Sequence, residues 1–354
     1  MHGGKEVLET EKKGMNYSAK AAGADDIVDP RSWENESAYQ IANYHVPSVW
    51  HQTEGEGVVV GVIDSGCDIN HVDLTGNLLP GKAFVNPDSP MSDEHGHGTF
   101  VTGIICAKRN GHGVHGVAPK AQVRPYRCLN AEAGGSYDDI LNGIHQAIDD
   151  GVDIINFSIY MSANNTWLTD AVRRAYEADI PMICAAGNFG LDEHSDVVWP
   201  AAYRETIAVG AVDRDVLKAD FSNTGPNLDF VAPGVDVRST FPGSEYRRSS
   251  GTSFATPWIT GIVALMIAKH RKFGGRTPVN TVEDVREHLR KTSIDLGDAG
   301  KDAKYGNGII DVQAAIGQIG RKVPLPIKQS IATRYYNGSG VGFAPILSSG
   351  PRSR

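Results

Sequence analysis

Four polar side chains stand where the chain turns sharply, and each could do chemistry there. Ser253 lies in the segment "SSGTSFATP" (249–257), just ahead of a long apolar run. A serine at a helix start feels the positive end of the helix dipole and nearby unsatisfied N–H groups. These can steady an oxyanion formed beside an attacking hydroxyl. His97 lies in "HGHGT" (95–99), where glycines let the backbone come close and turn into a helix. An imidazole there is a candidate general base. Asp64 closes the β-branched run "GVVVGVID" (57–64), and Ser65 and Gly66 turn the chain directly after it. Asn188 ends "MICAAGN" (182–188), where its side-chain N–H could donate to an oxyanion. Each residue also has an ordinary reading. Asp64 could cap a turn, Ser253 could cap a helix, and Asn188 could occupy a left-handed turn position. His97 could be a solvent-facing loop residue, or could join His95, His112 and His115 in a metal cluster. Those spacings match no His-x-x-x-His helix pair.

The elements around these residues alternate. The run ending at Asp64 reads as a strand buried on both faces, and residues 121–126 as another, weakened by Pro125. Residues 136–150 read as a helix, with Ile140, Ile144, Ala147 and Ile148 on one stripe and Ser136 as its cap. Strands are expected at 152–157, 181–185 and 206–210, and helices at 165–178, 253–270 and 281–291. Strand–helix alternation implies an α/β fold: a mostly parallel sheet with helices on both faces, and ligand chemistry beyond the strands' carboxyl ends. Residues 1–32 read as a polar, mobile leader and 33–318 as the folded domain. Residues 319–354 read as a weakly packed tail: from Gly320 onward there are six basic residues, no acidic one and four prolines.

Composition removes several classes. With 34 Lys+Arg against 42 Asp+Glu, the net charge of −8 argues against nucleic acid as the main partner. Wholly apolar runs fall well short of the ~18 residues of a membrane span. The first 20 residues hold no apolar core that a secretion apparatus would read. Four cysteines (Cys67, Cys106, Cys128, Cys184) in 354 residues do not suggest a disulfide scaffold, and read as reduced thiols of a cytoplasmic protein. Glycine, at 40 residues, exceeds the usual share of ~7% and suits tight turns around a site.

Taken together, these segments resemble the subtilisin family of serine proteases. The resemblance rests on "VIDSGCDINHVDL" (62–74), "HGHGTFVTGI" (95–104), "GVHGVAP" (113–119), "CAAGN" (184–188) and "GTSFATP" (251–257). The segments at 199–212 and 221–234 add to it, and it covers roughly residues 33–317. The order Asp…His…Ser along the chain is the one by which subtilisins are known. The intracellular subtilisins are the most similar, sharing a cysteine three residues after the aspartate. The resemblance implies a three-layer fold and a serine endopeptidase acting on proteins or peptides. In it Ser253 is the nucleophile, His97 the base, Asp64 its orienting partner and Asn188 an oxyanion donor.

The resemblance also implies how substrate and ions are held. Substrate would lie as an added strand between Gly134-Gly135-Ser136 and Ser158-Ile159-Tyr160, with Ala185, Ala186 and Gly187 beside it. Tyr160 departs from the family, which usually has glycine there. The floor of the first specificity pocket maps near Val198, and a small or medium apolar residue is expected before the cut. Calcium is the implied ion, with Asp73, Lys108, Asn110, His112 and Val114 as its ligands through hard oxygen atoms. A homodimer is a further expectation carried from the intracellular relatives. Those relatives use a short inhibitory N-terminal segment with an apolar-Pro-Tyr element, which this leader lacks; the leader is nonetheless expected to lie across the cleft. Two other functions compete: a catalytically silent peptide-binding scaffold, which only Tyr160 favours, and a metallohydrolase built on the four histidines.

Overall fold

The computed structural model describes residues 19–20, 26–27, 38–85, 92–161, 163–190, 196–274 and 279–317. The strands are β1 (Ala19–Lys20), β2 (Asp26–Ile27), β3 (Val59–Asp64), β4 (Lys82–Ala83), β5 (Gln122–Arg127), β6 (Ile154–Phe157), β7 (Tyr160–Met161), β8 (Met182–Ala185), β9 (Ile207–Val212), β10 (Phe230–Pro233), β11 (Val237–Phe241), β12 (Glu245–Ser249), β13 (Ser293–Ile294) and β14 (Ile309–Ile310). The helices are α1 (Tyr39–Ala42), α2 (His97–Cys106), α3 (Tyr137–Asp149), α4 (Thr166–Glu177), α5 (Thr252–Phe273), α6 (Val282–Lys291) and α7 (Val312–Ala315).

Nine strands form one sheet in the order β13-β14-β10-β9-β8-β6-β3-β5-β4, parallel except for the β13–β14 pair at one edge. The two faces of β3 explain the layers. A Cβ on Gly61 would meet Ala147 of α3 at 3.3 Å, so α3 lies on that face. Val62 points the other way, as neighbours in a strand do. Its register partner Asn156 shares that second face and accepts a hydrogen bond at 2.8 Å from the Thr260 hydroxyl of α5. Helices therefore cover both faces, as the sequence pattern implied.

Three of the expected helices start at the residues read for them, Ser136 as the named cap and Asn165 and Thr281 as first residues. Ser136 and Asn165 each accept from a backbone N–H three residues on, and Thr281 closes a reciprocal capping box with Asp284. Pro125 is tolerated inside β5 because that strand lies beside the sheet's outer edge, where the two-residue β4 covers only Tyr126 and Arg127. Helix α5 is long and apolar enough to cross a bilayer, yet 94% of its apolar window is buried inside the protein. It is the central core helix, packed on β6, β8, β9 and β10. All four cysteines are free and buried, and burial pushes the Cys106 thiol up to about 12.

Sequence reading left the β11–β12 hairpin unassigned. Its strands, "VRSTF" and "EYRRS", carry three arginines and no clean apolar alternation. Of the leader, residues 19–20 and 26–27 are described. Its described parts are strands: β1 pairs antiparallel with β7, and β2 with β12. The rest of the leader and the tail expected at 319–354 lie outside the described residues.

Candidate active site

Asp64 and His97 meet where β3 ends and α2 begins. Asp64 is fully buried, and its carboxylate accepts from the Ser65 N–H at 2.7 Å. Its two oxygens lie 2.8 and 3.0 Å from His97 Nδ1. A carboxylate in that position requires the proton on Nδ1, so in the neutral imidazole Nε2 is the lone pair. Nε2 is buried and makes no hydrogen bond among the described residues. Two glycines permit this arrangement. Gly96 caps α2 with φ of 95°, a left-handed turn that side chains disfavour. A Cβ on Gly98 would stand 2.2 Å from the Gly66 carbonyl oxygen, so only glycine lets the helix start approach the strand end this closely.

Ser253 is the second residue of α5 and is 4% exposed. The next residue, Phe254, packs its ring 5.4 Å from the His97 imidazole and 4.5 Å from Phe100, which ties the two helix starts together. The Ser253 hydroxyl and His97 Nε2 are not hydrogen-bonded to each other. Asn188 follows β8, and its Oδ1 accepts from both the N–H and the hydroxyl of Thr252, at 2.9 and 3.0 Å. Two donors on one oxygen fix the amide's orientation and turn Nδ2 away from them. Asn188, Thr252 and Ser253 border one pocket of about 360 Å³.

The walls of that pocket are Ile159, Tyr160, Ala185, Gly187, Phe189 and Phe221, with no charged side chain among its lining residues. Tyr160 stands edge-on to Phe189, ring centres 5.2 Å apart, so its phenol forms a wall. Burial raises its pKa and keeps it neutral. Val198, expected near the pocket floor, is not among the lining residues; it packs beside Gly187, where an added Cβ would lie 2.9 Å from its Cγ1. Ala186 and Ser158 are fully buried and do not line the pocket. Gly134, Gly135 and Ser136 form the turn into α3, where Ser136 is occupied as its cap. Sequence reading missed Phe189 and Phe221, although Phe189 directly follows Asn188.

The residues expected to hold calcium lie around Asp73. Asp73 is buried, and its carboxylate accepts from Asn110 Nδ2 (2.8 Å), the Val114 N–H (3.1 Å) and the Tyr246 hydroxyl (2.8 Å). Burial and the adjacent Asp73 raise the Tyr246 phenol far above its ordinary value, so it stays a donor. The carbonyls of Lys108, His112 and Val114 accept no hydrogen bond from the described residues. These are oxygen donors of the kind calcium takes, while Asp73 itself already receives N–H groups from Asn110 and Val114. The four histidines do not converge. His95 is tilted toward His97, His115 stands edge-on to Trp50 and His112 to Tyr246. Among the described residues no group of three or more His, Cys, Asp or Glu could hold a metal.

Residues 55–308 match the subtilase family. An intracellular serine protease of Paenibacillus polymyxa is 38% identical over 294 residues, covering 81% of this chain and 89% of that protein. Subtilisin DY of Bacillus licheniformis is 39% identical over 263 residues, 74% of this chain and 92% of that protein. Subtilisin E of Bacillus subtilis (strain 168) is 40% identical over 280 residues, 78% of this chain and 70% of that protein. The chain belongs to the subtilase family. Its activity is that of a serine endopeptidase. In subtilase terms the Asp64–His97 pair and the Ser253 helix start occupy the strands' carboxyl edge, as the alternation of elements implied.

Replacing Gly98 with alanine tests the close approach. A displacement of ~1 Å between the ring and Asp64 costs on the order of 100-fold in kcat/KM on a peptide substrate. An unchanged rate would mean that the backbones part without moving the imidazole.

Proposed function

We propose that this serine endopeptidase works through Asp64, His97 and Ser253. The observation that carries the reading is the buried, unbonded Nε2 of His97, held as a lone pair by the Asp64 bond at Nδ1. As the Ser253 oxygen attacks the scissile carbonyl carbon, its proton passes to Nε2. Asp64 stabilises the imidazolium that results. The carbonyl oxygen becomes an oxyanion and receives the Asn188 Nδ2–H and the Ser253 N–H. Collapse breaks the C–N bond, and the Nε2 proton leaves with the amine. A water molecule then gives a proton to Nε2 as it attacks the acyl carbon; the bond from that carbon to the Ser253 oxygen breaks as the proton passes from Nε2 to Ser253, and the acid leaves.

The apolar, uncharged pocket supports cleavage after an apolar residue. Its volume of about 360 Å³ leaves room for larger side chains than the small or medium ones first expected. The Asp73 cluster supports a structural calcium ion held by that carboxylate, the Asn110 amide oxygen after a turn of the amide, and the carbonyls of Lys108, His112 and Val114. Bound there, a calcium ion would supply charge that cross-links the 108–114 loop to Asp73. The β1–β7 pairing, which begins at pocket residue Tyr160, supports a leader that competes with substrate for the cleft. Four buried free thiols and the Paenibacillus polymyxa relative support a cytoplasmic location.

A sulfonyl fluoride should label the wild type once and Ser253→Ala not at all. The wild type should cut a peptide library after apolar residues; absence of labelling and cutting would leave only a silent scaffold. Deleting residues 1–30 should raise kcat/KM, and unchanged activity would count against competition by the leader. Removing calcium with a chelator should lower Tm by on the order of 5 °C, as loss of a ligand at ~100 times its Kd would. No shift would dismiss structural calcium.

A further inference from the structure

We infer that Asp93 is the positioning residue that sets the Asp64–His97 pair, an inference that rests on the role proposed for His97. Asp93 is 6% exposed and precedes the His97 turn by four residues. Its carboxylate collects five donors. Oδ1 accepts from the Ser65 hydroxyl (2.8 Å), the Gly96 N–H (2.7 Å) and the His95 N–H (3.2 Å). Oδ2 accepts from the N–H and the hydroxyl of Thr99, both at 2.7 Å.

These partners flank the pair on both sides. Ser65 follows Asp64 and donates its own N–H to that carboxylate. Gly96 and Thr99 bracket His97 at the start of α2. The Ser65 hydroxyl, while donating to Asp93, accepts from the Gly98 N–H at 3.0 Å. One carboxylate therefore joins the end of β3 to the first turn of α2, which sets the backbone spacing across which Asp64 meets the His97 ring. The segment carrying Asp93 is itself clamped. Arg127, buried at 2% exposure and in register with Asp64, donates to the Ser92 carbonyl and to Glu94, the residues on either side.

Asparagine is the informative replacement. It keeps the shape of Asp93, but it turns an NH₂ group toward N–H and hydroxyl donors, so at least one joint must open. The pocket-lining residues Ile159, Tyr160 and Phe189 are not among the partners of Asp93. Asp93→Asn should therefore lower kcat on a peptide substrate by about 100-fold, as a ~1 Å misplacement does, with KM nearly unchanged. It should also shift or broaden the low-field proton resonance of the His97 Nδ1–H. Ser65→Ala removes a single joint and guards against a misfolded asparagine variant; it should lower kcat about tenfold with the same unchanged KM. A wild-type kcat in either folded variant, or a lowered kcat with the proton resonance in its wild-type position, overturns the inference. Sulfonyl fluoride labelling of the wild type, measured alongside, separates the two readings. Without labelling the triad fails; with labelling and unchanged kcat in the variants, only the role of Asp93 fails.

Discussion

The site depends on one buried hydrogen bond, between the Asp64 carboxylate and Nδ1 of His97. A neutral imidazole carries a single ring proton, and a carboxylate beside one nitrogen decides where it sits. With the proton at Nδ1, the other nitrogen has a lone pair, and the fold keeps that lone pair out of water beside Phe254. Burial gives the arrangement its force, since no solvent competes for either end of the ring. It also makes the arrangement exacting. A buried carboxylate without its partners costs far more than an exposed one.

The geometry of an α/β sheet explains how such a pair can be assembled from residues 33 apart. Strand β3 sits between β5 and β6, so its carboxyl end opens onto loops from both sides. Helix α2 begins directly over that end, because Gly98 has no side chain to hold it off the Gly66 carbonyl. Helix α5 begins at the same edge, and Asn188 joins it to β8 through two bonds to Thr252. The same bonds do two jobs. They satisfy donors at the start of α5, and they point the asparagine's remaining N–H groups away from that helix.

The legibility of this structure in its sequence follows the range of the interactions. Ser136, Asn165 and Thr281 act within one helical turn, and their residue types alone locate the helix starts. Strand β3 is legible because both its faces are buried, which makes its sequence almost uniformly apolar. The β11–β12 hairpin is illegible for the opposite reason. Arg247 lies over the ring of Phe241 at 3.5 Å and Arg238 is buried, so charge in sequence does not translate to exposure. The four chemical residues were legible as types in Gly-rich turns, but their convergence was not. No local rule states that Asp64 and His97 share a bond, or that Asn188 turns its oxygen to Thr252. Resemblance supplied that step. Asp93 and Phe189 were adjacent to the motifs and still went unread, because a lone Asp in a turn and a Phe after an Asn carry no signal of their own.

Asp73 and Asp93 use one device for two ends. Each is a buried carboxylate that gathers donors from segments distant in sequence, and each replaces apolar packing where the chain has none to offer. Around Asp93 the donors come almost wholly from backbone N–H groups and short hydroxyls, which have little freedom to exchange partners. Around Asp73 two of the three are side chains, Asn110 and Tyr246, one of which can turn its amide. A joint made of backbone donors suits a site where tenths of an ångström govern rate. A joint with a side-chain amide leaves that loop freer to rearrange. The difference lies in what donates, since both acceptors are the same group.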